Sequence, residues 1–257
     1  MRRIARRNAR PILLSFSGID GCGKSTQIEI LVDRLKHIGL RVRVLAFWDD
    51  VAVLKRFREA TSHTVFGSEK GIGTPDNPVD RRDKNVQSWY MTPVRWLLYL
   101  LDAISLSELK VKTERWETDV VILDRYLHDE LANLPLHRSL SNVWARFLLN
   151  AAPRPDIAFW IDADPVEARE RKPEYPLEFL YRVRESYATL SRMSGMTPIQ
   201  PGTVEQVCAR VMRGFLRRFP VARITDFPPV ITAAPDAIAE VAEEVAEEDG
   251  AHLSTRP

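Results

Sequence analysis

The chain has 257 residues, 45% of them hydrophobic, enough to bury one substantial core, and a single α/β domain with appendages is the simplest organisation. Lysine plus arginine number 37 against 35 for aspartate plus glutamate, so bulk charge gives no strong nucleic-acid signal and no attraction to a membrane surface. No apolar run approaches the ~20 residues of a membrane helix, and two cysteines alone, Cys22 and Cys208, point to a reducing, cytoplasmic setting.

Charge is unevenly placed. Arg2, Arg3, Arg6, Arg7 and Arg10 crowd a basic tail over 1–10, and Glu240, Glu243, Glu244, Glu247, Glu248 and Asp249 crowd the other end; both read as solvated tails. A core strand from Ile12 leaves no room for a targeting peptide with a cleavage site, so the start is expected to be a mature terminus. The run Ile12 to Phe16 is short and apolar and stops at glycine, as a buried parallel strand does. From Lys24, apolar Ile28, Leu31, Val32, Leu35 and Ile38 keep helical spacing, with Gly39 placed to end the helix in a left-handed conformation. Arg41 to Phe47 supplies a second strand. Residues 48–87, broken by Gly67, Gly71, Gly73, Pro75 and Pro78, are expected to form a long functional loop.

Thr92 and Pro93 make a helix start, with Val94, Leu97, Leu98, Leu101 and Ile104 as its expected buried stripe, and the helix is expected to reach Lys110. Val120 to Leu123 is a third strand, ending in Asp124-Arg125-Tyr126, and Ile157 to Ile161 a fourth, ending in Asp162. Val166 to Leu190 reads as two helices broken near Pro173 and Pro176, followed by a short strand near Pro198 to Gln200 and a helix over Val204 to Phe215. This alternation predicts a P-loop-type three-layer sandwich with a parallel, doubly wound sheet of about five strands and a short helical lid. The domain is expected over 11–219, with a Pro/Ala/Glu-rich extension over 220–257.

Gly18-Ile19-Asp20-Gly21-Cys22-Gly23-Lys24-Ser25 fits G-x-x-x-x-G-K-[ST] between a predicted strand and a predicted helix. There, glycines let successive backbone N–H groups turn toward phosphate oxygens. Gly18, Gly21, Cys22, Gly23, Lys24, Ser25 and Thr26 are the candidate ATP-binding residues, Lys24 adding a point charge and the Ser25 hydroxyl a magnesium ligand. Cys22 needs only to be small, which favours packing over redox chemistry. Asp124, at the tip of the third strand, is the expected second metal ligand, and Arg125 could fork onto an acceptor phosphate.

The phosphate loop with Asp20 at its third position, the Asp124-Arg125-Tyr126 block, and the stretch from Asp162-Ala163-Asp164-Pro165 through Arg171 to Tyr187 together resemble the thymidylate kinase family, over about residues 11–218. That family belongs to the P-loop nucleoside monophosphate kinases. The resemblance implies that Arg125 binds the acceptor phosphate, that Asp20, Arg95 and Tyr99 contribute to the acceptor site, and that Tyr99 stacks on the acceptor base. Gly21 in place of an arginine implies that the lid supplies the transition-state cation, with Arg171 at the matching position. ATP and Mg2+ are the implied cofactors, small-molecule nucleotides the implied partners, and a homodimer the implied assembly.

The sequence departs from the family at Trp48-Asp49-Asp50, where a Pro-flanked arginine is usual, at Ala103, where an arginine is usual, and at Glu130 and Asn133, where contacts to thymine are expected. Phosphorylation of dTMP is the leading expectation. A P-loop kinase for another phosphorylated or hydroxylated small molecule, and a slow nucleotide-binding regulatory protein, remain the alternatives.

Overall fold

The computed structural model describes residues 10–51 and 91–219, all within the first of two units, Met1–Val221. The basic tail before Arg10, most of the expected long loop with Arg81, Arg82 and Lys84, and the extension over 220–257 lie outside the described residues.

Five strands, β1 (Ile12–Ser17), β2 (Val42–Ala46), β3 (Val120–Asp124), β4 (Ile157–Ile161) and β5 (Thr197–Ile199), form one parallel sheet in the order β2-β3-β1-β4-β5. Near-continuous apolar runs suit strands covered on both faces, and Leu14, Phe16, Val121, Ile122 and Phe159 are accordingly buried. Register aligns Phe16 of β1 with Asp124 of β3 on one side and Phe159 of β4 on the other. The loops leaving β1 and β3 therefore emerge side by side at the carboxyl edge, where open α/β sheets place their ligands.

Seven helices are described: α1 (Lys24–His37), α2 (Met91–Thr113), α3 (Leu127–Leu131), α4 (Ser139–Ala151), α5 (Pro165–Arg171), α6 (Leu177–Ser194) and α7 (Val204–Arg218). α1 packs on α7, while α2 packs on α3 and α4. The α1 stop occurs as its residues dictate: Gly39 sits at φ 87°, its N–H donates to the Lys36 carbonyl, and Leu40 N–H donates to Leu35.

Strand β2 is shorter than its apolar run. It gives way to a π-helical turn, Phe47–Val51, because the Asp50 carboxylate accepts from Ala46 N–H at 2.8 Å and turns the chain. Helix α2 runs beyond the expected Lys110, to Thr113, and it buries a different face from the expected stripe: Leu97 and Ile104 are exposed, while Tyr99, Asp102, Ala103 and Leu106 face the core. The two lid-side helices separate at the predicted prolines, with Arg171 closing α5 and Pro176 preceding α6. No described helix is long and apolar enough to cross a membrane.

Candidate active site

The phosphate loop bridges β1 and α1, and its glycines are there for separate reasons. A Cβ on Gly18 would lie 2.6 Å from the Ile161 carbonyl of β4, and one on Gly21, at φ 84°, would lie 2.1 Å from the Ala168 carbonyl of α5. The loop is thus pressed between the sheet and the lid helix. At Gly23 a Cβ would meet nothing within 4 Å, so space is open beside the start of α1. No side chain caps that helix and no acidic residue occupies its first turn, which leaves its leading N–H groups and dipole for an anion. Ser25 and Thr26 are exposed there.

Lys24 is buried with its ammonium folded onto the loop, donating to the Gly18 carbonyl at 2.6 Å and the Ile19 carbonyl at 3.0 Å, with Cys22 Sγ at 3.5 Å. Asp124 ends β3, and burial raises its carboxyl above the ordinary aspartate range, partly offset by the positive charges of Lys24 and Arg125. Cys22 is buried, consistent with a packing role.

Arg125 carries the most constrained geometry in the site. Its φ is 73°, the one left-handed value at a non-glycine among the described residues, and its N–H donates to the Phe16 carbonyl at 2.9 Å. This bend turns the side chain back over the phosphate loop, where Nη2 donates to Asp20 and Nη1 lies 3.5 Å from Asp129. Burial would lower the guanidinium pKa, but the Asp20 and Asp129 carboxylates outweigh it and the net shift is upward.

Asp129 was not singled out by sequence reasoning, and it is the centre of this arrangement. Its carboxylate accepts from Ser17 Oγ at 2.6 Å, Tyr187 Oη at 2.8 Å and Tyr126 N–H at 3.0 Å, in addition to facing Arg125. Burial and Asp129 raise the Tyr187 phenol well above its ordinary value, so it acts as a donor. The available signal was spacing: Asp129 lies at i+4 from Arg125, across the start of a helix. Asn133 holds the same turn through its side-chain bond to the Asp129 carbonyl, and with Phe179 and Val183 it lines a crevice of only about 20 Å³ beside Arg125.

On the lid side, Asp164 caps α5 by accepting from Val166 N–H at 2.8 Å, and Pro165 opens the helix. Arg171, at the other end, donates from Nη1 to the Gly21 carbonyl at 3.0 Å and from Nη2 to Glu167 at 2.9 Å. The cation at the lid therefore already rests on the loop position that lacks one. Asp162 and Arg184 form a two-pronged pair at 2.7 and 2.8 Å that ties the end of β4 to α6.

No protein-family model matches the chain. A probable thymidylate kinase of Pyrobaculum calidifontis is 30% identical over 209 residues, covering 74% of this chain and 88% of that protein. The chain belongs to the thymidylate kinase family. A thymidylate kinase of Thermoanaerobacter pseudethanolicus is 29% identical over 189 residues, covering 69% of this chain and 82% of its own. Among solved structures, thymidylate kinases of Ehrlichia chaffeensis (TM-score 0.52, 80% of this chain and 99% of that one) and Candida albicans (TM-score 0.53, 81% and 92%) share the fold at 17% identity. Membership also places the chain among the P-loop nucleoside monophosphate kinases.

The residues expected on α2 from the family resemblance are partly placed. Tyr99 is 4% exposed and Asp102 fully buried, on the α2 face shared with Ala103 and Leu106. That helix packs against α3 and the π-helical turn, the same corner that carries Asp129. The Arg95 side chain lies outside the described side chains.

Proposed function

We propose that this family member is an ATP- and Mg2+-dependent kinase that transfers a phosphoryl group to the 5′-phosphate of dTMP. The observation that carries the reading is Arg125, bent by its left-handed backbone over the phosphate loop and held there between Asp20 and Asp129. A guanidinium in that place suits an acceptor phosphate, which would share or take over the prong now given to Asp20.

The residues present fit the implied donor. An uncapped helix start, open space beside Gly23, and a buried lysine whose ammonium is held by neutral loop carbonyls and by no carboxylate make a phosphate cradle. Magnesium usually keeps several waters and is shared with the nucleotide's phosphates, so the Ser25 hydroxyl and the Asp124 carboxylate would be its protein ligands, and when bound it would neutralise phosphate oxygens. Lys24 binds the phosphates and gives up its loop carbonyls to do so. Arg171 lies beside Gly21, where its guanidinium could cover developing charge. No general base is needed, because an acceptor phosphate is already anionic at neutral pH. The two cysteines are free and buried, which suits a reducing cytoplasm.

A panel of nucleoside monophosphates assayed for Mg2+-dependent ADP production tests the proposal. The highest kcat/KM is expected with dTMP. Preference for another acceptor would favour the departures at Ala103, Glu130 and Asn133 as marks of a different substrate, and ADP release indifferent to acceptor would remove the kinase reading.

A further inference from the structure

A cleft of about 610 Å³ does not touch the phosphate loop or α5. It opens at the amino-terminal end of β4, between α4, β5 and α7, whereas the phosphate loop leaves the carboxyl end of β1. Six arginines line it: Arg146, Arg154, Arg210, Arg213, Arg217 and Arg218.

One acidic residue, Asp156, is among the described lining residues, and it is already taken by Arg10 at 2.7 and 2.9 Å and by Leu13 N–H. None of the six arginines pairs with a carboxylate among the described residues. Arg146 and Arg154 donate to Asn142 and Asn150, and Arg210 to the Gln200 and Pro201 carbonyls. Other arginines in the described residues do meet carboxylates, as Arg41 meets Asp119, Arg171 meets Glu167 and Arg184 meets Asp162, so six that converge on one cleft without such a partner form a local concentration of positive charge.

Arg210, Arg213 and Arg217 fall at i, i+3 and i+7 on α7, one stripe in which like charges repel. The helix dipole accounts for Arg217 and Arg218, at the carboxyl end, but not for Arg210 and Arg213. Nor does it account for Arg146 and Arg154, brought to the same cleft from α4 and the segment after it. His128, on the wall, is held below its ordinary pKa by burial, at about 4, so near neutral pH the cleft charge comes from arginine alone. Leu149, Pro153, Met193 and Pro198 add apolar wall beside Asn150 and Gln200. The volume falls in the range that holds a nucleotide-sized ligand.

We propose that this cleft is a second anion site, separate from the phosphate loop, that binds a polyphosphate chain, free or carried on a nucleoside. Guanidinium forks from facing elements match consecutive phosphates, and the apolar wall gives a base somewhere to lie.

The test is calorimetric titration of the full-length Lys24→Ala variant, whose phosphate loop is impaired, with tripolyphosphate and separately with dTTP. One site is expected for tripolyphosphate, weakened at least tenfold by adding Arg213→Glu and Arg217→Glu, and weakened less by Arg213→Gln and Arg217→Gln. Equal affinity for the two ligands assigns the site to the phosphate chain alone, and tighter dTTP binding that the arginine pairs also weaken assigns it to a nucleotide; both support the proposal, whereas dTTP binding unmoved by the arginine pairs belongs to the site at Arg125 and leaves the tripolyphosphate result to decide. The glutamine pair decides the matter should the glutamate pair lose cooperative thermal unfolding. Absence of binding in the Lys24→Ala variant, or binding indifferent to both arginine pairs, overturns the proposal and leaves the kinase reading untouched.

Discussion

A carboxylate with four partners and almost no solvent exposure is expensive to leave half satisfied, which makes Asp129 the side chain on which the acceptor arginine depends. Asp129→Asn keeps its size while removing the charge facing Arg125. If Asp129 positions Arg125, kcat/KM for the acceptor should fall by about tenfold or more with ATP affinity little changed, since a charge-assisted contact is worth about 1.5–3 kcal/mol. A purely structural role would instead lower thermal stability and affect both substrates alike. Next to it, His128 gives a pH signature. Its Nε2 lies 3.1 Å from Ser194 Oγ, whose proton goes to the Leu190 carbonyl, so Nε2 is the donor, and burial keeps the ring neutral near pH 7. Burial lowers its pKa from 6.5 to about 4, so as pH falls through 6.5 the unfolded chain takes up the proton first. Stability is lost over that window, by about 2 kcal/mol at pH 5. Urea unfolding of wild type and His128→Gln at pH 7.5 and 5 should show a smaller loss in the variant; equal losses would contradict a buried neutral His128. Asp124, raised by burial, acts in the opposite sense at lower pH and is common to both proteins.

Helix α5 is short, yet it touches the phosphate loop at two points, Ala168 behind Gly21 and Arg171 on the Gly21 carbonyl. Arg171→Ala should lower kcat by about 10³-fold, as loss of an arginine finger does, with a much smaller change in ATP affinity. Arg171→Lys should recover little, because a point charge cannot reproduce the planar fork. A steady-state kcat within a few-fold of wild type in Arg171→Ala would remove the lid assignment. This element was legible in sequence, since Pro165, Pro173 and Pro176 punctuate it and Arg171 lies at the family position. The π-helical turn was not, because its cause is a side-chain acceptor, Asp50, that competes with the strand ladder and leaves the apolar run of β2 unchanged. Asp129 was missed for a related reason. Its partners Ser17 and Tyr187 are 112 and 58 residues away, and only folding brings them to one carboxylate.

At the scale of the whole molecule, the strand order β2-β3-β1-β4-β5 does the assembling, because it puts β3 beside β1 and so Asp124 and Arg125 beside the phosphate loop. Alternation of strands and helices foretold a parallel sheet, but strand order is not encoded in periodicity. The Asp-Arg block after the third apolar run was the one sequence clue to which strand neighbours β1. The same topology leaves the arginine-lined cleft at the other end of β4, far along the strand from the loop, and nothing in the spacing of Arg146, Arg154 and the α7 arginines announced that they would face one another. The account as a whole stands on phosphoryl transfer between nucleotides. Its most direct test is separation of the products formed when the full chain is incubated with ATP, Mg2+ and dTMP. The account predicts dTDP and ADP in equal amounts, both abolished by Arg125→Ala in a folded protein; ADP without dTDP, or transfer that survives loss of Arg125, would contradict it.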